Sequence, residues 1–94
     1  MATLFVKHNV KDYGNWKRVY DELGTVRKQN GVTGASVYRD PKNPNTLIIT
    51  HQFNDMKAAQ AFAVSDELKT AMSNSGVTGA PEIWFGDQIE STSF

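Results

Sequence analysis

The pentapeptide GVTGA occurs twice in this 94-residue chain, at residues 31–35 and 76–80. A second pattern repeats with it: Leu4-x3-His8-x3-Asp12 returns as Leu47-x3-His51-x3-Asp55. Each GVTGA follows a run with helical apolar spacing and precedes a run rich in β-formers. Its first glycine therefore reads as a helix stop, where a left-handed backbone is needed, and the rest as entry into a strand. A phosphate cradle would need its glycines in the reverse setting, after a strand and before a helix. A chain that writes the same helix-to-strand punctuation twice is built from two similar halves.

The halves can be traced residue by residue. Thr3–Val10 predicts a strand, and Asp12 an N-cap. Tyr13, Trp16, Tyr20 and Leu23 recur at helical spacing, and the pattern runs to Arg27 and Lys28, although Gly14 and Gly24 weaken it by about 1 kcal/mol each. Asn30-Gly31 ends that helix. Ala35–Asp40 is the second strand, PKNPN a turn, and Thr46–Phe53 the third and most apolar strand. Asn54-Asp55 caps a second helix with Met56, Ala59, Phe62 and Ala63 on one face. At Ser65-Asp66-Glu67 the chain re-caps and changes direction, with acidic residues at the positive end of a new turn. Leu68, Ala71 and Met72 continue the apolar side to Ser75-Gly76. Pro81 precedes a last strand, EIWFGDQIE, and the tail at 91–94 is expected to fray. The order is β-α-β twice. This predicts an α+β, ferredoxin-like βαββαβ fold with one antiparallel sheet, a single domain over residues 1–94.

Composition narrows the partners. Ten basic residues balance ten acidic ones, so there is no electrostatic footprint for nucleic acid or an anionic membrane. No cysteine is present, which removes disulfides, thiolate zinc sites and a cysteine nucleophile. The opening MATLFVKHNVKD is interrupted by Lys7 and His8, and no segment has the length of a membrane span, so a cytoplasmic location is expected. Helices cover one face of such a sheet. By alternation the other face carries Phe5, Tyr38, Ile48 and Trp84 among Lys7, Thr50 and Gln52. A face-to-face homodimer would cover those aromatics.

The histidines are the candidate chemistry. His8 shares strand parity with Leu4, Val6 and Val10, and His51 with Leu47, Ile49 and Phe53, so both belong to the face under the helices. The residues alone leave two readings open: satisfied core imidazoles, or the walls of a pocket. The pseudo-twofold separates them by roughly 13 Å at ~3.3 Å per residue, too far for one metal ion, and no metal is expected. No serine sits in a Gly-x-Ser-x-Gly elbow. Asp66-Glu67 reads as a helix-start charge pair, since adjacent helical residues diverge. Trp16, Tyr20, Phe62 and Met72 lie on helix faces that meet the sheet, either as core or as the apolar lining of a small-molecule pocket. Arg27 is either an anion anchor inside that cleft or a solvated partner of the helix C-terminus.

From the third strand through the second helix, His51-Gln-Phe53-Asn-Asp leads into Ala58-Ala59-Gln-Ala61-Phe62 and Ser65-Asp66-Glu-Leu68-Lys69-Thr-Ala71-Met72. In these residues the chain resembles the antibiotic-biosynthesis-monooxygenase-like branch of the dimeric α/β-barrel superfamily. The resemblance implies ferredoxin-like subunits whose sheets close into a shared barrel, with a pocket between helices and sheet at His8, Trp16, His51 and Phe62. It also implies chemistry that ranges over cofactor-free oxygenases of polycyclic aromatics, haem-degrading enzymes and isomerase-like enzymes. The chain departs from the characterised sites. Where haem-degrading relatives carry Asn, Trp and an iron-binding His, it has His8, Phe62 and Met72. The Glu-x-Trp of the third strand is replaced by His51-x-Phe53. The expected function is a small-molecule enzyme or binder without a cofactor, oxygenase- or isomerase-like if catalytic. His8 or His51 would be the base, and Trp16, Tyr20, Phe62 and Met72 the substrate-binding residues. The alternative is a non-enzymatic homodimer that binds a ligand or partner, with structural histidines.

Overall fold

Leu4 faces His51 and His8 faces Leu47 across the central strand pair of the computed structural model, which describes residues 1–94. The Leu-x3-His repeat thus pairs with itself about a local twofold between Val6 and Ile49. The elements run β1 (Ala2–Val10), α1 (Tyr13–Glu22), α2 (Gly24–Gln29), β2 (Val32–Arg39), β3 (Thr46–Phe53), α3 (Met56–Ala63), α4 (Asp66–Asn74) and β4 (Val77–Asp87). The four strands form one antiparallel sheet in the order β2-β3-β1-β4. This is the ferredoxin-like α+β arrangement the repeat predicts.

The caps act as their residue types require. Asp12 accepts from the Asn15 amide at 3.0 Å and Asp55 from the Ala58 amide at 2.8 Å, each satisfying an orphan N–H of a first turn. Ser65 accepts from the Leu68 amide at 3.2 Å and starts α4, with Asp66 and Glu67 in its first turn. Gly31 (φ 91°) and Gly76 (φ 79°) both occupy the left-handed region directly after a helix. The opening of GVTGA is therefore a helix stop in both copies.

Three elements differ from the sequence-based expectation. The first helix does not run unbroken to Lys28. It leaves helical geometry at Leu23 (φ −91°, ψ 6°), beside Gly24, and restarts as α2. β2 begins at Val32 rather than Ala35, because Val32 pairs with Phe53 and Gly34 with Gln52, leaving Thr33 as a bulge. β4 begins at Val77 and contains Pro81. Lys7 pairs with Glu82 and Asn9 with Thr78, so Gly79, Ala80 and Pro81 bulge opposite His8. β4 is an edge strand, where a residue without an N–H is tolerated. That strand ends at Asp87, short of Glu90, and residues 88–94 have no regular structure.

The core lies between sheet and helices. Phe53, Leu4, Leu47 and Val6 are its largest fully buried side chains, each contributing about 1.5–3 kcal/mol by leaving water. One cluster joins Leu4, Val6 and Phe53 to Ala59 and Phe62, and a second joins Val10, Leu47 and Ile49 to Trp16. The opposite sheet face keeps Trp84 (43% exposed) and Tyr38 (56%) at the surface, with Trp84 stacked on Phe5 at 5.4 Å.

Gly31→Ala and Gly76→Ala are each expected to cost about 1–2 kcal/mol, because an L side chain is strained at these φ values. Gly14→Ala, inside α1 with only ordinary contact to Asp12, should be neutral or stabilising. Urea unfolding midpoints of the three variants check this contrast.

Candidate functional site

Alternation along β1 and β3 aims Val6, His8, Ile49 and His51 toward the helices, and there they floor a cavity. Its walls come from Trp16, Val19 and Tyr20 of α1, Val26 and Arg27 of α2, Phe62 of α3, and Leu68, Ala71 and Met72 of α4. The break at Leu23 matters here: it bends the chain so that Leu23, Val26 and Arg27 all reach the same space. The cavity has a volume of about 50 Å³, room for a few waters at ~10–15 Å³ each.

The aromatic side chains hold one another in place around this space. The Trp16 ring stacks on Tyr13 (centroids 6.0 Å apart) and on Tyr20 (5.0 Å), and meets His8 edge-on at 6.0 Å. Phe62 tilts against His51 at 5.4 Å and against Phe53 at 5.9 Å. Each histidine is thus paired with one aromatic ring. The register sets the imidazoles four residue pairs apart along the sheet, roughly 13 Å at ~3.3 Å per residue.

Neither histidine is a satisfied core group. Both nitrogens of His8 and Nδ1 of His51 are buried without a hydrogen-bond partner. His51 Nε2 is the one ring nitrogen outside that set. An orphaned buried donor or acceptor costs about 1–3 kcal/mol, and most buried polar groups in native proteins avoid it. Both imidazole rings line the cavity, while three of their four nitrogens are sealed from it. Burial pushes the His8 pKa down to about 4. Burial, with the positive charge of Arg27 added, pushes His51 down to about 4 as well. At neutral pH both are neutral imidazoles, with one donor and one acceptor nitrogen each.

Arg27 lines the cavity half-buried. Its Nη1 donates to the Tyr20 carbonyl at 2.7 Å, and its guanidinium lies 3.7 Å over the Tyr20 ring. Tyr20 belongs to the last turns of α1, so Arg27 does serve that helix end while also facing the cavity. Desolvation lowers its pKa, yet an arginine stays charged.

His8, His51, Trp16, Tyr20, Phe62 and Met72, the six residues the sequence singles out, all line this one cavity. Sequence reasoning missed Val19, Val26 and Ser75, and the place of Glu67 in the lining. Val19 carries the same stripe as Trp16, three positions on, and was legible. Ser75 is buried at the end of α4 and donates to the Met72 carbonyl, which polarity alone does not announce. Glu67, read from sequence only as a helix-start charge, also reaches the rim.

The fold is ferredoxin-like with an apolar cavity between helices and sheet, and comparison with known proteins places it in a family. Residues 15–74 match the model of the antibiotic biosynthesis monooxygenase family, and the chain belongs to that family. No protein of curated function matches it by sequence. Among solved structures, it is similar to a candidate antibiotic biosynthesis monooxygenase from Bordetella bronchiseptica (TM-score 0.80, 8% identity, 95% of this chain and 97% of that one). It is also similar to SnoaB, a cofactor-independent oxygenase from Streptomyces nogalater (TM-score 0.77, 11% identity, 96% and 94% covered). A candidate monooxygenase from Caulobacter crescentus CB15 aligns with TM-score 0.75 at 19% identity, over 95% of this chain and 90% of that one. At such identities the likeness is one of fold.

The histidines also set a pH dependence. An unfolded chain takes up a proton at each near pH 6.5, the folded chain only near 4. The stability that goes with their neutral burial is fully present above about pH 6.5 and is lost as pH falls toward 4. At about 1.4 kcal/mol per pKa unit, reduced for partial solvent access, each histidine should account for about 2–3 kcal/mol. Denaturant titrations at pH 7, 5.5 and 4 should show this loss, and His51→Leu should make it shallower.

Proposed function

We propose that this protein is a small-molecule enzyme of the cofactor-free oxygenase or isomerase type, with the helix–sheet cavity as its active site. The observation that carries the reading is the pair of neutral, unpartnered imidazoles buried against an otherwise apolar wall. A neutral imidazole is the form that accepts a proton. It meets a substrate hydroxyl or activated C–H without first losing one of its own. His51 is the proposed base, since its Nε2 lies outside the set of sealed nitrogens; His8, with both nitrogens sealed in the resting cavity, would position the far end of the substrate with its ring and take the base role only once the walls open. Proton removal leaves an electron-rich carbanion or phenolate. Arg27 then offers positive charge within the same cavity, and the resulting imidazolium offers more. Trp16, Tyr20, Phe62 and Met72 hold a flat apolar substrate and keep water out.

A tricyclic substrate needs more room than the resting cavity offers. The walls that can give way are α2 and α4, neither of which contributes a fully buried residue. Elements with little buried area open at low free-energy cost. A second reading rests on the same narrowness: a cavity of about 50 Å³ suits a non-enzymatic binder of a small ligand.

We further propose that the protein acts as a homodimer through the open sheet face, and in the cytoplasm. Trp84, Tyr38 and Phe5 form an apolar surface of the kind that soluble chains cover. No helix is long and apolar enough to cross a membrane.

Oxygen uptake with an anthrone tests the enzyme reading. The doubly benzylic methylene is acidic, and its conversion to the quinone carbonyl consumes one dioxygen and releases one water. His51→Ala should reduce the rate by about 10²–10⁴-fold, the worth of a positioned base, with His8→Ala also impaired. Full activity in both variants would overturn the mechanism, and ligand binding without turnover in the wild type would leave the binder. In native mass spectrometry the wild type should appear near 21 kDa, about twice 10.5 kDa, and Trp84→Glu should shift it to the monomer.

A further inference from the structure

We infer that Arg27 is the anion-recognising group of the cavity, so that the ligand is an apolar molecule bearing one anionic oxygen group, carboxylate-like in shape and charge. The inference rests on the cavity being a ligand site, and it adds the chemical class of what enters.

Arg27 lacks an ion-pair partner. The ion pairs of the chain are Lys17–Asp21 and Arg18–Glu22. Arg27 is in neither, although it is half-buried and its charge is partly desolvated. Asp21, whose charge acts on Arg27 from beyond ion-pair distance, is held by Lys17 at 2.6 Å. Glu67, across the cavity rim on α4, is exposed and lies outside ion-pair distance of the guanidinium. A buried or half-buried cation ordinarily finds a carboxylate. This one does not find it within the chain.

What Arg27 does have is a fixed pose. The Tyr20 carbonyl takes one N–H at 2.7 Å, and the Tyr20 ring supports the guanidinium face at 3.7 Å. Both contacts come from one residue of α1, which itself stacks on Trp16. A guanidinium carries five N–H donors in a rigid fork. The single bond to Tyr20 orients the fork and leaves the other donors for a ligand. A planar fork matches a carboxylate through two parallel bonds, and such charge-assisted pairs are about twice as strong as neutral ones.

The rest of the lining defines the remainder of the ligand. Arg27 is the one cation among the lining residues, and Val6, Trp16, Val19, Ile49, Phe62 and Met72 supply apolar wall. The field of Arg27 reaches His51, whose proton affinity it helps to lower. An anion at Arg27 would therefore lie in the same space as the imidazole. Charge at one end and an apolar body along the aromatic wall is the pattern of an organic acid.

The test compares benzoate with benzamide, which share shape and differ in charge. Binding of each to the wild type is followed by NMR shifts of the Trp16 indole N–H at one ionic strength. The wild type should bind benzoate at least about tenfold more tightly than benzamide. In Arg27→Gln the ratio of the two affinities should fall to within about twofold of unity, and in Arg27→Lys it should be intermediate. A structural role for Arg27 would weaken both probes together and keep the ratio. A ratio preserved in folded Arg27→Gln would overturn the assignment alone, as would a wild type with no preference for benzoate. If Arg27→Gln does not fold, Arg27→Lys decides, because loss of the guanidinium fork must still lower the ratio. Failure of both probes to bind the wild type would overturn the ligand-site reading and this assignment with it.

Discussion

The pairing of β1 with β3 is the contact on which the rest of the molecule depends. It sets Leu4 against His51, Val6 against Ile49 and His8 against Leu47, and it brings the two halves of the repeat together about one local axis. A shift by one residue would turn Leu4, Val6, Leu47, Ile49 and Phe53 out to the open face, because side chains alternate with a period of two. Burial of that apolar set holds the register. The histidines have the parity of the core residues and are carried inward with them. Their burial follows from the strength of the apolar pairing around them rather than from any preference of their own.

That arrangement places stability and site in tension. Unpartnered imidazole nitrogens destabilise the folded chain, and charging them in acid destabilises it further. The aromatic stacks offset part of this. Trp16 is held by Tyr13 and Tyr20, and Phe62 by Phe53, so each ring beside a histidine is fixed by a neighbour that does not depend on a ligand. Across the cavity, α2 and α4 contribute no fully buried residue, and both elements exist because a helix was broken, once at Leu23 and once at Val64-Ser65.

Family membership and site chemistry part company here. Solved relatives share the fold at 8–19% identity, far below the level at which side-chain roles transfer. The positions that resemble the haem-degrading site hold His8, Phe62 and Met72 instead. What the cavity offers, two neutral imidazoles, one oriented guanidinium and an aromatic wall, has to be argued from its own atoms.

Much of this was legible in the sequence. The doubled GVTGA and Leu-x3-His-x3-Asp patterns carry the two-half topology, since a glycine after a helix and an aspartate before one each have a local physical cause. Strand parity places both histidines under the helices, and helical spacing picks out Trp16, Tyr20, Phe62 and Met72. These are short-range effects, decided within a few residues of where they are written. Other features were decided only when distant segments met. β4 accommodates Pro81 because its position at the sheet edge lets it bulge opposite His8. Whether an imidazole is satisfied depends on which atoms come within about 3 Å of it, and here none do. Arg27 could have stood in solvent beside a helix end; the break at Leu23 and the ring of Tyr20 turn it into the cavity without an acid to pair with. The sequence by itself determined which residues face inward. The tertiary structure alone decided which of them were left without partners, because only packing fixes the distances between side chains far apart in the chain.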